Sequence, residues 1–339
     1  MNRASQVAAA TFLLSIAGLT GQARADDDDR FRGSYDPALD VCRGTDPVCY
    51  HDWAGDAGAR QGNRVLIYTR TAGPRHANLG PRLAAGMNPP LAAGNVVQNA
   101  LKAWLEAEGI TADWTEDVTQ LSNLNKYKAV IFASTSRDTL WAHGRAVDPA
   151  LAVNTTTGAH LDAAKTALRQ YIRAGGGFVG IHNAFGTEYN WKWYEGLLGN
   201  ANYYDHGAFQ DGTVNIVNPD SSTAGVASTF PFKDEWYNLE PFPTRVKFLA
   251  TVDENSLATK HTVHPGHPKF HPVSWCQYYD GGRSWVTSLG HDTQAFTDGS
   301  SFPGQPQFKR LVVGGIKSAM GLTPFCTGGK GEGHRDRTN

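Results

Sequence analysis

The stretch Gly175-Gly176-Gly177-Phe178-Val179-Gly180-Ile181-His182 limits the possible folds more than any other part of the chain. Three glycines stop the helical pattern before them, a short apolar run follows, and a histidine ends it. An unbroken apolar run after a helix reads as a strand buried on both faces of a parallel sheet. Residues just past the carboxyl ends of such strands line the ligand crevice of open α/β sheets. His182 therefore falls where chemistry is expected.

The flanking sequence repeats this grammar. Arg64 to Thr69 and Ala129 to Ala133 read as strands, the second followed by a loop over Ser134 to Asp138. Asn95 can cap a helix from Val96, whose Val97, Ala100, Leu101, Trp104 and Leu105 share one face, with Gly109 ending it. A second helix is expected from Leu161 to Ala174, with Leu161, Ala164, Leu168, Tyr171 and Ile172 inward. Strand and helix in alternation predict an α/β fold with a doubly wound, mainly parallel sheet. Beyond residue 200, Thr213 to Val217, Val246 to Val252 and Trp285 to Leu289 read as further strands between long loops. A last helix runs from Phe308 to Met320. These extra strands are expected to extend the sheet and partly cover its edge.

Composition narrows the function classes. The net charge of −1 gives no electrostatic case for nucleic acid or an anionic membrane. Residues 1–25 combine a basic start at Arg3, an apolar stretch from Val7 to Leu19, and Ala23-Arg24-Ala25 as a small-x-small cleavage site. This reads as a secretory signal cut near Ala25, too short to span a bilayer, so a secreted or periplasmic protein without a membrane span is expected. Asp26 to Asp29 reads as a solvated leader, and Asn154-Thr155-Thr156 is a glycosylation sequon if the source is eukaryotic. The four cysteines suggest structural disulfides. They allow three connectivities; closeness in sequence favours Cys42–Cys49, leaving Cys276–Cys326.

Several further blocks carry a resemblance. They are Arg75-His76, the glycine-rich block itself, and Trp193-Tyr194 through Leu197-Leu198-Gly199, then His206, Gln210, Asp234-Glu235-Trp236-Tyr237 and His271-Pro272-Val273-Ser274-Trp275. Gly281-Gly282-Arg283 and Leu289-Gly290-His291 complete the set. In this order they resemble the ThuA-like (trehalose utilisation) family of the class I glutamine amidotransferase-like superfamily. That resemblance implies flavodoxin-like layering, with extra strands and long loops in the C-terminal half. It divides the chain into a signal (1–25), a cysteine-bearing extension (26–62), a ThuA-like domain (63–321) and a tail (322–339). Two departures stand out. Asn218-Pro219 replaces the family's usual His-Pro pair after the Thr213 strand, and Met87-Asn88-Pro89-Pro90 and Asn154 to Thr157 look like insertions.

Glutamine amidotransferases place a nucleophilic cysteine on a tight strand-to-helix turn. Here the comparable turn reads Gly180-Ile181-His182-Asn183-Ala184 with no cysteine nearby, so amidotransferase chemistry is not expected. The resemblance brings His76, His182, His206 and His291 to loops beside strand ends. Converging imidazoles suit general acid–base work or metal ligation; a structural histidine holding a loop carbonyl is the bland alternative. The candidate catalytic groups are His182 and His291 as base and acid, oriented by His206 and Glu235. Candidate substrate contacts are Arg75, His76, Asn183, Asp234, Trp236 and Tyr237. Against these, Arg75 also fits a structural ion pair, and Asp234-Glu235 a surface pair beside core aromatics. The crowded histidines His261, His264, His267 and His271 lack regular metal-ligand spacing and read as a loop.

Three functions remain open. The first is an exported enzyme processing oxidised (3-keto) glycosides by histidine acid–base chemistry, as a hydrolase, lyase or isomerase. The second is a non-catalytic carbohydrate-binding protein. The third is a metal-dependent hydrolase using His76, His182, His206 and an acidic residue as ligands. The expected partner is a small carbohydrate. No cofactor is expected, and a bound divalent metal is the open alternative.

Overall fold

The computed structural model describes residues 28–53, 62–84, 87–140, 163–260 and 262–327. The signal, the Asn154 sequon, His261 and the tail beyond residue 327 lie outside the described residues. In chain order the regular elements are β1 (Tyr35–Asp36), β2 (Val41–Gly44), β3 (Arg64–Tyr68), α1 (Val96–Glu106), β4 (Thr111–Thr115), β5 (Ala129–Ala133), α2 (Ala163–Arg173) and β6 (Gly177–Ile181). They continue with α3 (Lys192–Leu197), β7 (Tyr203–Ile216), β8 (Thr229–Leu239), β9 (Lys247–Val252), β10 (His271–Tyr279), β11 (Gly282–Thr287) and α4 (Gln305–Ala319).

All strands join one mixed sheet in the order β4-β3-β5-β6-β11-β10-β9-β7-β8, with the small β1–β2 hairpin attached to β10. The β4, β3, β5, β6 and β11 strands run parallel. From β10 onward the pairing is antiparallel. Successive side chains of a strand point to opposite faces, and here the two faces build separate apolar cores. Val65, Ile67, Ile131, Val179 and Ile181 pack under α1 and α4. Leu66, Tyr68, Val130, Phe132 and Phe178 pack under α2 and α3. Helices on both faces bury β5 and β6 completely, which explains their continuous apolar runs.

The glycine triplet is needed for two distinct reasons. Gly175 adopts a left-handed φ of 92°, which ends α2. At Gly177 a Cβ would lie 2.4 Å from the Ala319 carbonyl oxygen, so α4 can cross the start of β6 only over a glycine.

The C-terminal half contains more sheet than the sequence suggested. The β8 strand was not expected, β10 was expected only as a strand starting at His271, and β7 starts ten residues before the expected Thr213; in the first half, β4 was not expected either. The β7 strand is half-exposed along most of its length, so the apolar–polar alternation that identifies a strand is weak there. The β10 strand fails the same test for the opposite reason, being buried at every position. The four cysteines are paired as Cys42–Cys49 and Cys276–Cys326.

Candidate functional site

The carboxyl ends of three parallel strands meet the β7–β8 hairpin at one mouth of the sheet. His76 lies in the loop after β3, His182 directly follows β6, and His291 lies in the loop after β11. Glu235 and Tyr237 alternate along β8 onto the same face, and His206 pairs with Tyr237 across the hairpin. One ligand-capable atom from each of His76, His182, Glu235 and His291 lies within 4.8 Å of the others.

His182 forms the floor. It is fully buried and adopts a left-handed φ of 52° at the strand-to-turn junction, a strained conformation of the kind found at functional sites. Its Nδ1 lies 2.9 Å from the Ser288 carbonyl. A carbonyl only accepts, so Nδ1 carries the proton and the Nε2 lone pair faces the cluster. That lone pair receives the Tyr237 hydroxyl at 2.9 Å and lies 3.1 Å from His76 Nε2. Burial first, then the neighbouring His76 and His291, push the His182 pKa well below its ordinary value. Burial likewise lowers His76 to about 4. Both rings are neutral at physiological pH.

Glu235 is the charged centre. Its Oε2 lies 3.0 Å from His291 Nδ1 and 3.9 Å from His182 Nε2, and its Oε1 lies 3.6 Å from His206 Nε2. Burial opposes its ionisation, but His291 more than offsets this and holds the carboxyl below its ordinary range. Burial also disfavours a charge on His291, yet the Glu235 carboxylate beside it and Asp234 nearby raise its pKa. The His291–Glu235 contact is an ion pair: Nδ1 has no hydrogen-bond partner in line. His206 Nδ1 donates to the Gly207 carbonyl at 2.5 Å, which leaves its Nε2 lone pair directed at the cleft. His206, Glu235 and His291 all keep part of their side chains in solvent.

Other expected contacts are placed elsewhere. Arg75 is buried in an ion pair with Glu116 at 2.9 Å and donates to the Leu79 and Gly80 carbonyls at 2.9 and 2.8 Å. It shapes the loop that carries His76 and has no spare donor aimed at the cleft. Asp234 and Trp236 point to the opposite face of β8 from Glu235. Asp234 is fully buried and accepts the Gly290, His291 and Glu235 N–H groups at 2.7, 3.2 and 2.8 Å; burial still pushes its carboxyl up to about 7. It is the clamp that fixes the His291 loop. Trp236 is buried in the core under Gly212 and its indole N–H donates to the Gln210 carbonyl. Asn183 is buried against Gly186, with its carbonyl accepting the Thr187 hydroxyl. Of the aromatic pair, Tyr237 alone reaches the cluster.

His182 itself needs a correction. Expected as the base that meets substrate, it lies beneath His76, Tyr237 and His291 with no exposed surface. The imidazole that keeps solvent exposure, with Nε2 facing the cleft, is His206. Sequence reasoning also missed the Ser288 carbonyl and Asn78, whose amide donates to the His291 carbonyl at 2.9 Å. A backbone carbonyl leaves no signature in a sequence, and Asn78 lies two residues past the recognisable Arg75-His76 pair. The crowded His264, His267 and His271 rings pack in a separate cluster, tilted and edge-to-face. There His271 lies 3.0 Å from Glu254 and 2.9 Å from the Tyr237 carbonyl, propping β8 from behind.

A three-layer α/β protein with an imidazole–carboxylate cleft at the carboxyl ends of its parallel strands, and with every cysteine locked in a disulfide, is not built for thiol chemistry. The chain belongs to the ThuA, or trehalose utilisation, family, which matches residues 64–319. Among solved structures it is similar to a protein described as ThuA-like from Bacteroides uniformis, at 20% identity and a TM-score of 0.50, covering 75% of this chain and 91% of that one. A second, described as ThuA-like from Parabacteroides merdae, is 15% identical with a TM-score of 0.50, covering 77% and 90%. A glutamine amidotransferase-like neighbour, described as a GMP synthase protein from Thermoplasma acidophilum, is 10% identical with a TM-score of 0.40, covering 76% and 96%. No curated protein matches the sequence.

Proposed function

We propose that this chain is an exported enzyme that cleaves an oxidised (3-keto) glycoside by acid–base chemistry at the cleft. The family's trehalose-utilisation description supports the substrate class. Two disulfides, and no helix among the described residues long and apolar enough to cross a membrane, are compatible with a periplasmic or extracellular site of action. The single observation that carries the reaction is the open Nε2 lone pair of His206 facing Glu235 and the imidazole cluster.

A ketone at C3 acidifies the C2–H bond. His206 Nε2 takes that proton, and the electron pair moves into an enolate whose oxygen accepts a hydrogen bond from the His291 imidazole. The enolate collapses, the C1–O bond breaks, and the proton held on His206 passes to the departing glycosidic oxygen. The products are an alcohol and a 1,2-unsaturated 3-ketone, so atoms and charge balance without an external oxidant.

Trp104, Trp193, Trp236, Trp275 and Trp285 are buried in the core while Trp53 is exposed, so product release, not aromatic content, separates a catalytic from a purely binding role. The test is release of p-nitrophenol from its 3-keto glucoside. Turnover should fall on the order of 10²- to 10⁴-fold in His206→Gln, the usual contribution of a positioned base. Unchanged turnover in that variant, or none from any 3-keto glycoside with wild type, sinks the reading.

A further inference from the structure

We infer that His76, His182, His291 and Glu235 form a binding site for a divalent transition metal of the zinc type. Zinc bonds to imidazole and carboxylate are about 2.0–2.2 Å long, so neighbouring ligand atoms in a tetrahedral shell lie about 3.3 Å apart. The pairs seen here straddle that value: 3.1 Å for His76 Nε2 and His182 Nε2, 3.0 Å for His291 Nδ1 and Glu235 Oε2, and 3.9 Å for His182 Nε2 and Glu235 Oε2.

Three features of the site fit a shared cation. Two imidazole Nε2 atoms face each other, and one of them, on His182, can present only a lone pair because its Nδ1 proton is held by Ser288. The His291–Glu235 contact is short but out of line for a hydrogen bond. Metal-bound histidines usually donate their second N–H to a backbone carbonyl or carboxylate, which fixes the ring and its tautomer. The Ser288 carbonyl does this for His182. Three imidazoles with one carboxylate suit zinc and its imidazole-preferring neighbours rather than magnesium or calcium, which demand oxygen donors. The arrangement also gives fully buried His182 a purpose that its burial denies it as a base, while the side facing His206 stays open to a substrate oxygen.

The metal's role in turnover, as the electrophile that polarises the C3 carbonyl, rests on the glycoside reading; its binding does not. The experiment uses the full chain, stripped with dipicolinate and titrated with Co²⁺ followed by visible absorption, then with Zn²⁺ in competition. Wild type should bind one equivalent, show the intense d–d bands of a low-coordinate site, and gain thermal stability on loading. His182→Gln, His291→Gln and Glu235→Gln should each weaken binding on the order of a hundredfold or more, above the range for losing an orienting partner alone. His264→Gln, in the separate histidine cluster, should bind as wild type does. Circular dichroism identifies any variant that fails to fold, and the remaining two then carry the comparison. Folded wild type that takes up no stoichiometric Co²⁺, or folded ligand variants that bind as well as wild type, overturns the proposal. Metal uptake without turnover of any 3-keto glycoside supports the site and removes the function. Undiminished turnover by the stripped protein overturns the metal's part in the reaction and leaves His206 standing.

Discussion

Tyr237 illustrates how much one hydroxyl can settle at this site. Burial, followed by the carboxylates Glu235 and Asp234, holds its pKa well above the ordinary phenol value, so it stays a donor. Its proton goes to the only lone pair of His182. In Tyr237→Phe that buried nitrogen keeps only its 3.1 Å contact with His76, and the expected cost is about 1 kcal/mol, the low end of the penalty for an unsatisfied buried group. The same variant should bind Co²⁺ at least as tightly as wild type, because the hydroxyl competes for the lone pair a metal needs. Urea unfolding of the metal-free protein and a Co²⁺ titration check both parts; weaker metal binding in the variant would mean that Tyr237 helps to hold the ion. Which residues reach the cleft was partly legible in advance. The Asp234-Glu235-Trp236-Tyr237 run could have been divided by strand alternation alone, had β8 been recognised as a strand. Arg75 was not legible: whether a buried guanidinium meets a ligand or Glu116 depends on a residue 41 positions away.

At the scale of elements, the parallel half of the sheet could be read because burial on both faces writes long apolar runs, and helices between them write a different period. The β7–β8 hairpin could be read only at its Thr213 end, although it supplies His206, Glu235 and Tyr237, because its first strand is half-exposed on both faces. What holds that strand in register is a polar clasp. Asp205 accepts the backbone N–H groups of Thr262, Val263 and His264 and the Asn238 amide, at 3.2, 2.5, 2.8 and 2.8 Å. Burial alone would raise its pKa, but these donors lower it below the ordinary value. The sign follows: a depressed folded-state pKa adds stability that is present above the unfolded value of about 3.9 and is lost as pH falls through the folded value. Asp205→Asn should therefore lower stability by about 1–2 kcal/mol at pH 7. The gap from wild type should narrow once the pH drops below about 4. Urea midpoints measured from pH 7 to pH 3 check this; a gap that stays constant with pH would assign the loss to packing instead of charge.

At the scale of the whole molecule, the two disulfides do different work. Cys42–Cys49 closes a loop with a sequence separation of 7, beside the hairpin that docks on β10. Cys276–Cys326 closes a separation of 50 and ties the chain beyond α4 to the centre of the sheet. The longer bridge thus holds the helix that covers β6 and β11 and, behind them, the strand ends carrying His182 and His291. Loop-closure entropy scales with the logarithm of the enclosed length. It gives about 4 kcal/mol for the longer bridge and about 2 kcal/mol for the shorter. Replacing Cys276 and Cys326 together by alanine should lower the unfolding free energy by roughly the larger amount, and replacing Cys42 and Cys49 by roughly the smaller. Urea unfolding with unchanged slope distinguishes this from a change in the extent of unfolding. If the short bridge proves the more costly, its contribution lies in native contacts. The Arg43–Asp36 ion pair at 2.6 Å and the Arg43 bond to the Thr244 carbonyl at 2.8 Å would then be the groups it positions.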